Sequence, residues 1–171
     1  YKIVRGDDPI EQGDFVNSCP SIVPPLELEV GKKVSVEVIE YDVVVMSQSC
    51  DLVQEKLDLV LVCPIWSLNE FVNENPSFDS AKMKESLRRG YQPSYHLLNR
   101  CEIEGYETDY LVVDFRSVFS SPFVFLKELI KRKTERIRLL SPYREHLSQA
   151  FARFFMRVGL PVDIPPFAER V

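Results

Sequence analysis

Two runs of β-branched and aliphatic residues, "DVVVMS" (42–47) and "LDLVLVCPI" (57–65), constrain the fold of this chain most. Continuous apolar runs of strand length are typical of strands that are covered on both faces. The centre of a sheet is therefore expected here. The polar segment "QSCDLVQEK" (48–56) is then the connection between two central strands, and such connections often carry function.

Further strands are predicted on both sides of these runs. "GDFV" (13–16) indicates a turn that enters a short strand, whereas the proline-broken "CPSIVPP" (19–25) is expected to be loop. "LELEV" (26–30) and "VSVEVI" (34–39) alternate apolar and polar residues around Gly31, which predicts an antiparallel hairpin. Two more strand patterns are "SYHLLN" (94–99) and "YLVVDF" (110–115).

Helical patterns follow Ser67 and occupy the end of the chain. A helical insert is predicted over about 68–90, where "SAKMKESLRRG" starts at Asp79 or Ser80 and stops at Gly90. The last helix is predicted from its N-cap Ser141 and Pro142 to its C-cap Gly159. Its apolar stripe is expected to pack on the core; the stripe consists of Leu147, Phe151, Phe154 and Val158.

The length and composition predict a single soluble domain. The chain has 171 residues, of which 45% are hydrophobic and 27% are charged. We expect a barrel over about 13–118, a basic segment and helix over about 125–159, and a tail over 160–171. Four scattered cysteines without a C-x-x-C pair predict no metal site and no cofactor. Without a long apolar run, the location is expected to be cytoplasmic with no membrane partner.

Charge is distributed unevenly along the chain. Residues 1–80 carry 15 acidic and 5 basic side chains, whereas residues 81–171 carry 11 acidic and 16 basic ones. The acidic first half disfavours an RNA partner, because nucleic-acid binders present a positive surface. The basic run 127–138, which includes Lys131 and Arg132, is interpreted as a solvated face or as a contact surface for an acidic partner or RNA.

Taken in order, "GDFV", "VVVMS", "LVLVCPI" with Ser67, and "LVVDFRSV" resemble the MazF/PemK (CcdB-like) toxin fold. The resemblance implies an α+β fold: a small antiparallel SH3-like β-barrel with a helical insertion and a C-terminal amphipathic helix. Members of that family are typically endoribonuclease toxins of toxin-antitoxin systems, in which an Arg and a Thr act at the scissile phosphate.

This sequence departs from the family at both of those positions. Tyr41 and Asp42 stand where the Arg-Pro pair is expected, and no Lys or Arg occurs between Val34 and Glu55. Trp66 occupies the Thr position, with Ser67 one residue further on. The departures favour a regulatory, protein-binding module without catalysis.

Two functional hypotheses follow from the resemblance. The "SQSCDL" element (47–52) resembles a motif of poorly characterised bacterial proteins, and degenerate MazF-like domains are associated with prokaryotic defence. One such domain is a CRISPR-linked anti-sigma factor that a Lon-like protease cleaves, so we expect a regulatory protein with a protein partner; a homodimer is also compatible. The alternative is a metal-independent endoribonuclease with a rearranged site made of Ser67, Arg116 and His96.

Three interpretations of the "SQSCDL" element stay open. Ser49 or Asp51 can accept backbone hydrogen bonds and turn the chain. Alternatively, Gln48, Ser49, Cys50 and Asp51 face a partner or ligand as a polar binding loop, or Cys50 is a nucleophile with His96 or His146 as its base. Arg116 is likewise predicted either to bind phosphate or carboxylate of a ligand, or to form a salt bridge with Asp114.

Overall fold

The structure is a computed structural model that describes residues 1–27, 29 and 31–156. Its strands, in chain order, are β1 Lys2–Arg5, β2 Phe15–Val23, β3 Glu37–Val45, β4 Leu59–Ser67, β5 Tyr95–Leu98, β6 Leu111–Asp114, β7 Phe119–Pro122 and β8 Glu135–Arg138. Its α-helices are α1 Ser49–Val53, α2 Leu68–Glu74, α3 Ala81–Arg88, α4 Phe123–Lys131 and α5 Tyr143–Phe155. Short 3₁₀ turns cover Pro76–Phe78 and Phe115–Ser117.

The α+β class is confirmed, and the strand pairs are antiparallel. One sheet has the order β2-β3-β4-β6-β5, and β7 also pairs with β4. Val62 of β4 pairs with Val45 of β3 and with Phe119 of β7, so β3 and β7 flank opposite edges of β4. A second sheet pairs β1 with β8. Among the described residues no pairing closes the larger sheet into a ring, so it is an open sheet.

The two apolar runs form the centre of the sheet, as predicted. Val43, Val44 and Val45 are fully buried in β3, as are Val60 and Val62 in β4. Successive side chains of a strand point to opposite faces. Val44 accordingly packs in the cluster around Phe115, whereas its two neighbours pack in the cluster around Leu126. Burial on both faces explains the unbroken apolar run of β3. In β4 the expectation is wrong for the first half of the strand, because Leu59 and Leu61 point away from Val60 and Val62 and are 54% and 42% exposed.

The prediction that residues 19–25 are loop is wrong as far as Val23. β2 continues through Pro20, and Val23 pairs with Glu37, so the hairpin consists of β2 and β3. Proline is tolerated because β2 lies at the edge of the sheet. Residues 34–36 lie outside β3, and the predicted strand 26–30 contains Leu28 and Val30, which lie outside the described residues.

The helical insert is confirmed, and it packs on the sheet. Ser80 caps α3, and its hydroxyl accepts a hydrogen bond from the Met83 N–H, as the sequence pattern predicts. Leu87 packs with Phe71, Phe78 and other residues of the same cluster. None of the described helices is long and apolar enough to span a membrane.

The last helix begins one residue later than predicted, since its N-cap is Pro142 rather than Ser141. Leu147, Phe151 and Phe154 pack in the Phe115 cluster, as predicted. Val158 and the predicted C-cap Gly159 lie outside the described residues.

The basic run 127–138 divides between two elements with different surroundings. Its first half lies on α4, where Leu126 and Ile130 are buried while Lys131 is exposed. Its second half is β8, where the side chains of Arg136 and Arg138 are buried against Asp14. A solvated face is therefore the wrong interpretation for these two arginines.

Candidate functional site

The serines of the "SQSCDL" element bind neighbouring backbone. Ser47 Oγ accepts a hydrogen bond from the Leu61 N–H at 2.9 Å, and Ser49 Oγ accepts one from the Gln12 N–H at 3.1 Å. Gln48 is the N-cap of α1. The element thus contains a short helix, and its serine hydroxyls bind the backbone of β4 and of the segment before β2. This arrangement is expected of a structural turn.

The remaining side chains of this element have different surroundings, since Leu52 is buried in the Leu126 cluster and Asp51 is half-buried. Gln48 Nε2 donates to Ser148 Oγ at 3.1 Å, and Cys50 is the exposed cysteine of the four. The cavities that His96 and His146 line do not include Cys50. Within the described residues, the cavities thus give no support for a histidine base beside the thiol.

Ser67 is the N-cap of α2 and forms a capping box with Glu70. Ser67 Oγ accepts from the Glu70 N–H at 3.2 Å, and Glu70 Oε2 accepts from the Ser67 N–H at 3.0 Å. The Ser67 hydroxyl also donates to Glu70 Oε2 at 2.7 Å. This hydroxyl is engaged in helix capping.

The cavity beside Ser67 is acidic. Its volume is about 450 Å³, and its lining includes Asp42, Glu70, Glu107, Asp109 and Glu135. The one basic lining residue among those described, Arg136, is bound to Asp14. Carboxylates on this wall repel a phosphodiester, so the cavity is unsuited to an RNA backbone.

Arg116 forms the predicted salt bridge with Asp114. Its Nε and Nη2 donate to the two carboxylate oxygens at 3.1 and 3.0 Å, and its guanidinium lies 4.6 Å from the centre of the Tyr95 ring. The hydrogen bonds to Asp114 raise the pKa of Arg116. A cavity of about 400 Å³ lies beside this pair and also contacts Trp66 and Glu74.

His96 lies on β5 and faces α5. Its ring stacks on Phe115 with 6.4 Å between centroids. Burial, with smaller effects of His146 and Arg153, lowers the pKa of His96 to about 4. The imidazole is therefore neutral near pH 7. Ser67, Arg116 and His96 line separate cavities, so the structure does not assemble the three into one site.

Lys131 and Arg132 lie at the end of α4. Lys131 Nζ donates to Glu128 at 2.9 Å, and Arg132 is the exposed C-cap residue. Both cations are accessible, and neither lines a cavity that contains Ser67, Arg116 or His96.

An apolar groove that the sequence analysis missed lies between the β2–β3 hairpin and β7. It has a volume of about 680 Å³, and Ile22 and Val38, a cross-strand pair, are 65% and 53% exposed. Its lining consists of Pro20, Ser21, Ile22, Val38, Phe119, Ser120, Ser121, Pro122 and Phe125. The signal in the sequence was the apolar "SIV" that follows Pro20, which was assigned to a loop.

The described residues contain no cluster of histidine, cysteine, aspartate or glutamate suited to a metal ion. No family model matches this chain, and a search of curated proteins finds no match.

Proposed function

We propose that this chain is a protein-binding module that holds an extended, apolar segment of a partner protein in the groove between the β2–β3 hairpin and β7. The observation that carries the proposal is the exposure of Ile22 and Val38 beside Phe119 and Phe125 in one continuous groove. Exposed apolar patches of this kind mark interaction sites, because solvent contact with them is costly.

The strand edges at the groove support an extended partner. Within the described residues β2 pairs only with β3 along 19–23, and β7 pairs only with β4. Each strand thus has an edge whose N–H and C=O groups lack a strand partner. An added strand would satisfy such groups while its alternate side chains enter the groove.

Charge around the groove supports a basic partner. No charged residue lines the groove among the described residues, but Glu37 and Glu40 lie beside it in β3 and are both exposed. Glu37 pairs with Val23, and Glu40 pairs with Pro20. A segment with Lys or Arg flanking its apolar residues complements these carboxylates.

The arrangement of the candidate catalytic residues supports binding rather than chemistry. The endoribonuclease alternative needs a hydroxyl, a cation and a base at one phosphate. Ser67 caps a helix in an acidic cavity, and Arg116 is occupied by Asp114. His96 lines a different cavity from either.

The fold and the biological setting follow from the resemblance to MazF-like proteins. In that interpretation the open sheet corresponds to a MazF-like barrel with a gap between the β2–β3 hairpin and β7. The groove is this gap. A regulatory, anti-sigma-like protein in a prokaryotic defence or toxin-related system stays a prediction from the sequence.

The proposal is tested with a displayed library of random peptides selected on the whole chain. We expect the selected peptides to alternate apolar residues and to carry more Lys and Arg than Asp and Glu. Val38→Glu should weaken their binding at least about tenfold. Val53→Glu is the matched control, since Val53 is 59% exposed but lies outside the groove.

Two results would count against the proposal. The first is a failure to select any peptide, and the second is equal binding to the Val38→Glu and Val53→Glu variants. The enzyme alternative is tested separately by incubating the chain with long single-stranded RNA without metal ions. The RNA should stay intact; specific cleavage that His96→Gln abolishes would establish the alternative instead.

A further inference from the structure

The two histidines of the chain lie together although they are far apart in sequence. His96 on β5 and His146 on α5 both line two adjoining cavities of about 350 and 420 Å³. The larger one contacts Tyr1 and Tyr143 and is named the tyrosine cavity. The smaller one contacts Arg89 and Arg153 and is named the arginine cavity. Arg88 and Leu97 also line both.

The arginine cavity has an excess of positive charge. Arg88 and Arg89 each donate to Glu85 at 2.6 Å, so two guanidinium groups share one carboxylate. Arg153 is exposed and forms no ion pair within the described residues. Among those residues no carboxylate lines either cavity. An anion that enters would meet the guanidinium of Arg153 and imidazole nitrogens, with no carboxylate on the described part of the wall to repel it.

The tyrosine cavity has aromatic and apolar walls. The exposed ring of Tyr143 lies edge-to-face with His146, with 6.4 Å between centroids. Leu98 and Leu139 form apolar wall, and Arg100 is paired with Asp109 at 3.1 Å. A flat aromatic group can stack on a tyrosine in such a cavity, as nucleobases do on protein aromatic rings.

We propose that these two cavities bind a nucleoside monophosphate. The phosphate lies in the arginine cavity, where Arg89, Arg153 and His146 donate to its oxygens. The base lies in the tyrosine cavity against Tyr143. The two volumes are within the range of small-molecule sites. Because no residue is shared with the apolar groove, this inference is independent of the proposed partner site.

Imidazole NMR tests the inference directly, because both histidine side chains of the chain report on the site. The probes are AMP, GMP, CMP and UMP, each compared with its nucleoside and with inorganic phosphate. We expect at least one nucleotide to shift both imidazole signals and to bind at least about tenfold more tightly than phosphate or its nucleoside.

Variants identify the two parts of the site. Arg153→Gln should weaken nucleotide binding about tenfold, because a charged hydrogen bond to phosphate is lost. Tyr143→Ala should weaken nucleotide binding but leave phosphate binding unchanged. Arg132→Gln, an exposed arginine outside both cavities, is the control and should bind as the unmodified chain does.

Three outcomes would overturn the inference. The first is the absence of any imidazole shift at millimolar nucleotide. The second is binding of nucleotide and phosphate with equal affinity, and the third is equal weakening of nucleotide binding by Arg153→Gln and Arg132→Gln. A backbone amide spectrum of each variant separates loss of binding from loss of folding.

Discussion

Nε of Arg136 donates to Oδ2 of Asp14 at 2.8 Å, and both side chains are almost completely excluded from solvent. The guanidinium of Arg138 also binds this carboxylate, and each arginine donates to a carbonyl of the segment that leads from β1 to β2. This buried ion cluster joins β8 to the start of β2. It satisfies charges that would otherwise be costly to bury.

Neutralising Asp14 should destabilise the chain strongly. Asp14→Asn keeps the size of the side chain but leaves the buried guanidinium of Arg136 without a carboxylate and that of Arg138 with Glu11 alone. We expect a loss of about 3–5 kcal/mol in the free energy of unfolding, measured by urea denaturation. Asp7→Asn removes an exposed partner of Arg5 and should change the free energy of unfolding by less than about 1 kcal/mol. A similar effect of the two substitutions would contradict this account of the cluster.

Ser67 should contribute to stability as a helix cap. Ser67→Ala removes both bonds of its hydroxyl to Glu70 and should cost about 1 kcal/mol, whereas Ser67→Thr retains a hydroxyl that can cap the helix and should cost less. Thermal or urea unfolding measures both. Ser120→Ala, at an exposed strand serine, is the control. Equal stability of the alanine and threonine variants would show that the cap does not act as described.

Acid should destabilise the chain through His96. The pKa of this imidazole is about 4 in the folded chain, because of burial, and about 6.5 when unfolded. The unfolded chain therefore takes up a proton first as the pH falls. The contribution of the neutral imidazole to the free energy of unfolding is complete above about pH 6.5 and decreases as the pH falls toward 4. Because the side chain is only half-buried, this contribution is about 1 kcal/mol.

Two substitutions assign this pH dependence. His96→Gln should make the free energy of unfolding less dependent on pH between 7 and 5, while His146→Gln should retain the dependence. Urea denaturation at pH 7, 6 and 5 makes the comparison. An unchanged pH dependence in the His96 variant would refute the assignment.

Cysteine labelling should follow burial. Cys50 is exposed, whereas Cys19, Cys63 and Cys101 are buried, and burial raises the pKa of Cys19 to about 11 and that of Cys63 to about 12. Iodoacetamide should modify Cys50 alone in the native chain and all four cysteines in denaturant, as mass spectrometry detects. The Cys50 rate is compared with that of a free thiol peptide. A much faster rate near pH 7 would instead support the nucleophile hypothesis.

The parts of the fold that local pattern determines could be predicted. The buried runs of β3 and β4 and the cap of α3 at Ser80 depend on residues close in sequence. The pairing of Ile3 with Ile137 does not, since the two partners are more than 130 residues apart and neither strand has a strong pattern. The burial of Arg136 and Arg138 could not be predicted either, because their partner Asp14 is far away in sequence. Charged side chains indicate a solvated surface unless such a partner is known.

The candidate site was less predictable than the fold. Ser67, Arg116 and His96 were selected by residue type, but which cavity each one enters depends on how β4, β6 and β5 are arranged across the sheet. The two cavities that His96 and His146 share likewise depend on where α5 packs. The groove was missed because Pro20 indicated a loop, although an edge strand tolerates proline.

Hydrogen exchange of the chain, alone and bound to a peptide selected on it, tests the central claim most directly. A segment added at the groove should slow exchange of the backbone amides of residues 21–23 and 119–121, since their free strand edges gain hydrogen-bond partners. The amides of α1 should exchange as in the free chain. Protection elsewhere, with unchanged exchange at residues 21–23 and 119–121, would contradict the proposal that the groove is the binding site.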